Sequence, residues 1–422
     1  MRLELQVRRV RDLRIGGETR LDDGVLAVDV DALCSYLLEQ DRRLSGLRFE
    51  VAHPGELCRI TSIADIVEPR AKLSGGVDFP GVLGALEPAG SGTTVVLRGM
   101  AVTILNPLER AGGRGPVLDM GGRHKEGWSA QDLTVFANLH HLVTIPQLAP
   151  GVVGDDALNA LRLAILRAAV WLASHTGSGA RDAVESYDLV PVPDLPRVAY
   201  VFQIHSHQRP TVAGEPLLYG DNARHLLPVV LHPNEVLDGA VLQGYSSRGN
   251  YIIQNHPVIL ELYRRHGIDL SFAGVVAVVA HQTAPERERS ALMAANLVSE
   301  TLHADGVILT KTGGGAPHID MAQIAHRCEQ LGVRSTLIAW DLSSSDGAEE
   351  GSALFNYPDL DAIVSMGSNG YRLSLPAVER VITPEDDTSL LERAGAPMAA
   401  TANQFVGVLD QFGGGRWATA LY

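Results

Sequence analysis

The sequence predicts an α/β protein with a mainly β amino-terminal domain, followed by a carboxy-terminal domain built on a mostly parallel sheet. Three observations carry this. Up to about Gly127, short period-2 segments such as LRFEVA and TTVVLRGMAVTIL are separated by Gly, Pro and Asp, the pattern of half-buried strands joined by turns. Beyond Pro193, continuous apolar runs (VAYVFQI, VVAVVA, GVILT, STLIAW, LDAIVSM) alternate with helical stretches that begin near Pro285 and His318. Strands buried on both faces read this way, and the alternation with helices makes the domain Rossmann-like.

Between the two lies a helical connection. Leu158, Leu161, Ile165, Ala168 and Leu172 recur every three or four residues and form one apolar stripe, and Asp155 and Asp156 suit the positive end of the helix that carries it. The resulting division is 1–127 for the β domain, 128–193 for the helical connection and 194–422 for the α/β domain. In the last of these, Leu292, Ala295, Val298 and Leu302 share one side of a helix suited to cover a sheet.

A chain of 422 residues with 45% apolar content has ample material for cores of this kind. Its formal charge of −14 argues against nucleic acid or an anionic membrane as a partner, because both require a basic surface. Cys34, Cys58 and Cys328 lie far apart without CxxC spacing, so neither a disulfide framework nor a cysteine zinc site is expected. The amino terminus lacks a signal-like apolar region, and no run approaches the roughly 20 apolar residues of a membrane span, so a cytoplasmic protein is expected.

Ligands of open α/β sheets gather where strands end and loops begin. His205 and His207 follow VAYVFQI, Asn234 and Glu235 follow PVVLHP, and Lys311 closes GVILT. His205 and His207, two residues apart, point to one side of an extended strand end, but no third ligand has recognisable spacing, so no metal is expected there. The stretch TKTGGGAPHID lacks the GK[ST] ending of a phosphate loop and reads as a strand-to-helix turn.

The segment 231–257, LHPNEVLDGAVLQGYSSRGNYIIQNHP, breaks at Gly244 into a loop that holds Tyr245, Ser246 and Ser247 and closes on Asn255-His256-Pro257. Taken by itself, such a composition is a solvated turn. Other blocks accompany it in order: GGETRLDDGVL from Gly16, DIVEPRAKL from Asp65, FPGVLG from Phe79, GSGTTVVLRG from Gly90, LPRVAYV from Leu195, ELYRRHGIDLSFAGVV from Glu261 and PERERS from Pro285. Together these blocks, spread over most of the chain, resemble the self-processing subunit of the glycine, sarcosine and betaine reductases, component B, and more distantly the D-proline reductase proprotein.

In that family the matching loop carries Asn-Cys after the Gly. The chain breaks there, and the Cys becomes an N-terminal pyruvoyl group. Here Tyr245-Ser246 stands in that place, and the loop is shorter. The resemblance implies a cytoplasmic enzyme subunit that cleaves a C–N bond reductively. A small amino compound would form a Schiff base with the pyruvoyl carbonyl, and a selenolate or thiolate on a component B partner subunit would then displace the nitrogen, which makes a hetero-oligomer.

Serine can perform the same conversion, because its hydroxyl also lies one atom beyond Cβ; Ser246 is the reading preferred on the alignment, and Ser247 offers a second register. A hydroxyl needs a base, for which His256 and Glu235 are candidates. His205, His207, Asn234, Asn255, Lys311 and Asp320 are candidates for binding substrate. Gly315, Pro317 and Asp320 match the family frame, whereas Lys311 and His318 replace acidic family positions, a change that suits holding a carboxylate or is simply a surface change. Two alternatives stay open: an unprocessed paralogue that binds a partner or a small carboxylate, and a pyruvoyl-dependent decarboxylase.

Overall fold

The computed structural model describes residues 1–109, 115–124, 127–176, 179–204, 215–244, 249–281, 283–311, 313, 316–341, 360, 362–384 and 388–416. Beside a smaller three-stranded sheet of Asp12–Ile15, Val25–Val28 and Arg20–Asp22, the amino-terminal half is built around two four-stranded sheets. In one, Ala183–Asp188, Arg2–Arg9, Gly92–Arg98 and Arg70–Ser74 lie side by side; in the other, Leu44–Ala52, His140–Leu148, Met100–Leu105 and Ile63–Val67. The first strand pairs parallel with Gly92–Arg98 and antiparallel with Ala183–Asp188, so the chain returns to its own beginning after the long helix.

That helix, Gly154–His175, crosses the strands Ile63–Val67, Arg70–Ser74 and Met100–Leu105. Leu161, Ile165, Ala168 and Leu172 of its apolar stripe are buried, while Leu158 at the start is partly exposed. Removing each such leucine or isoleucine from water contributes roughly 1.5–3 kcal/mol. By length and composition the helix reaches the threshold for a membrane span, which the sequence reading did not expect of any segment. Its most apolar stretch is 67% buried inside the fold, and its apolar residues cover the sheets.

The carboxy-terminal half holds a six-stranded sheet in the order Val229–Leu231, Ser271–Val279, Arg197–Ile204, Gly306–Thr310, Arg334–Asp341 and Ala362–Ser368. The edge strand Val229–Leu231 is antiparallel to its neighbour and every other pairing is parallel. Strand alternation divides the work. Ala199 and Val201 face the helices Ala284–Asn296 and Ala316–Gln330, whereas Tyr200, Phe202 and Ile204 face a core shared with the amino-terminal half, including Leu3, Leu5 and Phe136. The chain passes from Ser271–Val279 over Arg197–Ile204 to reach Gly306–Thr310. The strand order therefore reverses beside Arg197–Ile204, and such a reversal opens a crevice at the carboxyl ends of strands.

The two halves are also joined through the tail. Arg380–Ile382 adds parallel to Cys58–Thr61, and the fully buried Arg59 holds that junction. Its guanidinium donates to both carboxylate oxygens of Asp119, at 2.6 and 2.9 Å, and to the carbonyls of Pro376, Ala394 and Ala396. A buried charge is tolerable when its donors are satisfied in this way.

Candidate functional site

The loop 245–248, with Tyr245, Ser246 and Ser247, lies outside the described residues, as do His205 and His207. Its flanks are described, and many hydrogen bonds fasten them. The backbone N–H of Gln243 donates to Asn250 Oδ1 at 2.7 Å, which closes the base of the loop. Gly249 stands at φ +101°, a left-handed conformation that L side chains rarely adopt, and a Cβ there would meet the Phe136 ring at 3.2 Å. The helix Asn250–Gln254 follows.

Asp65 fixes this exit. Its buried carboxylate accepts from the backbone N–H of Gly249 at 3.3 Å and of Asn250 at 3.0 Å, accepts from the Asn250 side-chain amide, and pairs with Arg162 at 3.2 Å. With its acceptor capacity taken up by positioning, Asp65 is an anchor rather than a base. Next along the chain, Glu68 donates its N–H to Gln254 Oε1 at 2.8 Å, and its buried carboxylate takes Arg70 at 2.6 Å and Arg98 at 2.5 Å. Arg70 also donates to the carbonyl of Leu237, upstream of the loop.

The entrance is held by the same run of residues. Lys72 pairs with Asp238, which also accepts from the N–H of Gly90 at 2.8 Å and from Thr94 Oγ1 at 2.9 Å. The block Asp65-Ile66-Val67-Glu68-Pro69-Arg70-Ala71-Lys72 thus grips the loop segment at both ends. The sequence reading missed this role. Charges at 68, 70 and 72 share one side of an extended chain, and such a stripe ordinarily faces water; the available signal was a set of charges interleaved with strongly apolar residues.

The proposed binding residues fall into three groups. Asn234 and Glu235 serve the helix Pro233–Leu237 and its surroundings. Glu235 accepts from the N–H of His232 at 2.6 Å in a capping box and from Tyr219 Oη at 2.6 Å. Asn234 donates to the carbonyls of Gly90 and Tyr187 and accepts from Tyr263 Oη. Asn255 accepts from Arg98 and borders an open cavity of about 540 Å³ that Glu185, Tyr187, Tyr263 and Arg264 also line.

His256 forms the second group. It is wholly buried against the rings of Tyr200, Phe202 and Phe412, with Nε2 3.1 Å from Tyr200 Oη. Tyr200 in turn meets Thr310 Oγ1 at 2.5 Å. Burial pushes the imidazole pKa down to about 3, so the ring is neutral at ordinary pH, and its Nδ1 finds no partner among the described residues. That nitrogen can accept a hydrogen bond, but with its pKa held so low by burial the ring is a weak base.

The third group sits at the carboxyl ends of the parallel strands. Lys311, next to Thr310, is fully buried; its amine nitrogen lies 2.5 Å from the Gly313 carbonyl and 5.0 Å from the centre of the Trp340 ring. Burial pushes its pKa down to about 6. Asp320, in the first turns of the helix Ala316–Gln330, accepts from the N–H of His281 at 2.8 Å and faces Arg287 at 3.2 Å, and burial pushes its pKa up to about 6. His318 Nε2 approaches the Trp340 carbonyl at 3.3 Å. Lys311 and Asp320, two groups with displaced pKa values near the carboxyl ends of strands of the same sheet, are candidates for chemistry or binding. The strand Arg197–Ile204, beside Gly306–Thr310, ends just before His205 in the sequence. The Tyr200 hydroxyl, bonded to Thr310, connects the second group to the third.

None of the cysteines is a ready nucleophile. Cys58 and Cys328 are fully buried, which pushes each thiol pKa up to about 12, and burial also raises that of the half-buried Cys34.

Buried ion pairs and hydrogen bonds from many distant residues hold both flanks of one short segment beside an α/β sheet. The chain belongs to the family of glycine/sarcosine/betaine reductase component B subunits, whose model matches residues 1–399. It is 30% identical over 395 residues to "Glycine reductase complex component B subunits alpha and beta" of Acetoanaerobium sticklandii, a match covering 90% of this chain and 89% of the relative. It is 31% identical to "Sarcosine reductase complex component B subunit alpha" of Peptoclostridium acidaminophilum, with the same coverage. To "Betaine reductase complex component B subunit alpha" of the same organism it is 28% identical, covering 90% and 88% of the two chains. No solved structure matches the chain significantly.

Proposed function

We propose that this protein is the processed subunit of a reductase complex of the component B type, acting on a small amino compound through an electrophile made from Ser246. The observation that carries the reading is the anchoring of the candidate loop by Asp65 and the Gln243–Asn250 bond, which hold both ends of the segment in place. Fixed ends favour attack by a side chain on its own backbone, because the entropy of bringing the groups together has already been lost on folding. The name of the Acetoanaerobium sticklandii relative gives two subunits, alpha and beta, to a single chain, which supports the same idea.

In the processing reaction, the Ser246 hydroxyl attacks the Tyr245 carbonyl and frees the Ser246 nitrogen, leaving an ester. Elimination across Cα–Cβ then releases the Tyr245 carboxylate, and water converts the remaining unsaturated amine, through its imine, to a pyruvoyl group still amide-linked to Ser247, with loss of ammonia. Of the two candidate proton acceptors, Glu235 is committed to capping a helix, and His256 has an Nδ1 without a partner among the described residues but a pKa lowered to about 3 by burial, so it would act only through a hydrogen bond to the hydroxyl. The pyruvoyl carbonyl so formed supplies the electron sink that no ordinary side chain offers an amine. The protein's own thiols are buried or half-buried and protonated, so the selenolate or thiolate that completes the reduction comes from a partner subunit.

The test is denaturing mass spectrometry of the purified protein. Two fragments, residues 1–245 and 246–422, are expected, with the second reacting with a hydrazine. A single intact chain, in the presence of a partner, would sink the proposal in favour of an unprocessed binding subunit; carbon dioxide release by the isolated processed protein would point instead to a decarboxylase.

Lys311 suits a substrate carboxylate, and its burial gives this role a signature. In the free protein the amine is neutral above about pH 6. An arriving carboxylate favours the charged form, so binding takes up a proton. Affinity for a small carboxylate should be greatest below about pH 6 and fall by roughly tenfold per pH unit above it, until the raised pKa of the complex is reached. Calorimetry in buffers of different ionisation enthalpy reads this directly. Lys311→Met should flatten the dependence; a flat profile in the unaltered protein would remove Lys311 from the binding site.

A further inference from the structure

Away from the loop, three segments of the amino-terminal half bring together side chains that the reductase reading does not use. Asp12 opens the strand Asp12–Ile15, His53 follows the strand Leu44–Ala52, and His140 opens the strand His140–Leu148. The last two strands are antiparallel neighbours in which His141 faces Ala52, so the ladder delivers His140 and His53 to the same end. The outcome is a close approach of three donor atoms: His53 Nδ1 and His140 Nδ1 are 3.0 Å apart, Asp12 Oδ1 is 3.7 Å from His53 Nδ1, and all three lie within 4.8 Å of one another.

We propose that Asp12, His53 and His140 form a binding site for a divalent transition-metal cation. The spacing suits it. Nitrogen ligands about 2.0–2.1 Å from one ion, at tetrahedral or right angles, sit roughly 3 Å apart, as these two do. The rings are nearly perpendicular, at 79°, which lets both direct a nitrogen toward a common point without stacking. The His140 ring also bonds the Arg11 backbone carbonyl, which requires an N–H and therefore leaves the other nitrogen of the neutral ring as a lone pair. A backbone carbonyl that fixes tautomer and ring orientation is the customary support of a metal-binding histidine.

The donor set names the class of ion. Two imidazoles and one carboxylate suit zinc, cobalt, nickel or iron in the divalent state and disfavour magnesium and calcium, which take oxygen ligands. Asp12 Oδ1 also accepts the N–H of Leu13 at 2.9 Å, which leaves Oδ2 available. Asp12 and His53 are partly exposed, so positions beyond the three protein ligands are open to water. The site ties together segments far apart in the chain, so a bound ion would stabilise the folded amino-terminal half by mass action. The spacing 12, 53, 140 has no sequence signature, and the sequence reading accordingly expected no metal.

The experiment is a titration of chelator-stripped full-length protein with cobalt(II) chloride, followed by the visible absorption of the ion, with zinc(II) as competitor and thermal unfolding measured in parallel. One equivalent of cobalt at micromolar concentrations, displaced by zinc, and a raised unfolding midpoint are expected. His53→Gln and Asp12→Asn alter partly exposed side chains and should fold normally by circular dichroism, while weakening binding by roughly a hundredfold and tenfold respectively. Absence of a cobalt spectrum below about 1 mM, far weaker than sites of this donor set, would overturn the proposal, as would binding in both variants equal to that of the parent. The close nitrogens would then be a hydrogen-bonded histidine pair and nothing more.

Discussion

Ser246→Ala is expected to abolish chain cleavage, hydrazine reactivity and reductase activity together, leaving one species of 422 residues. In the proposed processing the hydroxyl is the atom that starts the reaction, and alanine has nothing to put in its place. Activity should fall to background rather than by a modest factor, because the electrophile is not weakened but never made. Ser246→Cys should do the reverse and cleave faster than the unaltered protein, since a thiol ionises far more readily than an alcohol. Ser247→Ala separates the two registers. It should leave fragments 1–245 and 246–422 unchanged, whereas loss of cleavage, with fragments ending at 246 in the parent, would transfer the chemistry to Ser247. Cleavage at the same bond in the Ser246→Ala variant would refute the assignment outright.

The second large effect belongs to a residue that performs no chemistry. Asp65→Ala should destabilise the protein by about 3–5 kcal/mol, the usual consequence of removing one partner from a buried ion pair. The substitution takes the carboxylate from Arg162 and strips the acceptor from the N–H groups of Gly249 and Asn250. Cleavage should slow as well, because the exit of the loop would no longer be held. Asp65→Asn keeps an oxygen for the backbone but loses the charge, so it should be intermediate in both respects. Urea unfolding measures the first effect, and the rate of fragment appearance the second. Equal cleavage rates in Asp65→Ala and the parent would show that the clamp serves stability alone.

Some of the site was legible from the chain itself, because local signals carried it. The stripe of Leu161, Ile165, Ala168 and Leu172 follows from helical periodicity, and these residues are buried in the helix Gly154–His175. Lys311 was recognisable as the lysine that ends an apolar strand, and it lies at the carboxyl end of Gly306–Thr310. What could not be read was the state of its charge, which depends on how completely Trp340 and the surrounding strands exclude water.

The charged block 65–72 is the clearest case of the opposite kind. Nothing local distinguishes Glu68, Arg70 and Lys72 from a solvated face. Their burial follows from partners at Arg98, Gln254, Leu237 and Asp238, between 30 and 186 residues away. The same holds for Arg59, whose carbonyl partners come from residues 376–396, and for the Asp12, His53 and His140 cluster.

The sequence by itself determined the family, the alternation of apolar runs with helices, and the Gly-Tyr-Ser-Ser segment in which a hydroxyl stands where the family motif has a thiol, because side-chain identity and periodicity are properties of neighbouring residues. Only the tertiary structure decided which charges are buried, that Asp65 and Asp238 anchor the flanks of the loop, and that burial lowers the pKa of His256 and Lys311. Desolvation and ion pairing depend on what packs around a group, and in this fold those neighbours are brought in by strands and helices distant along the chain.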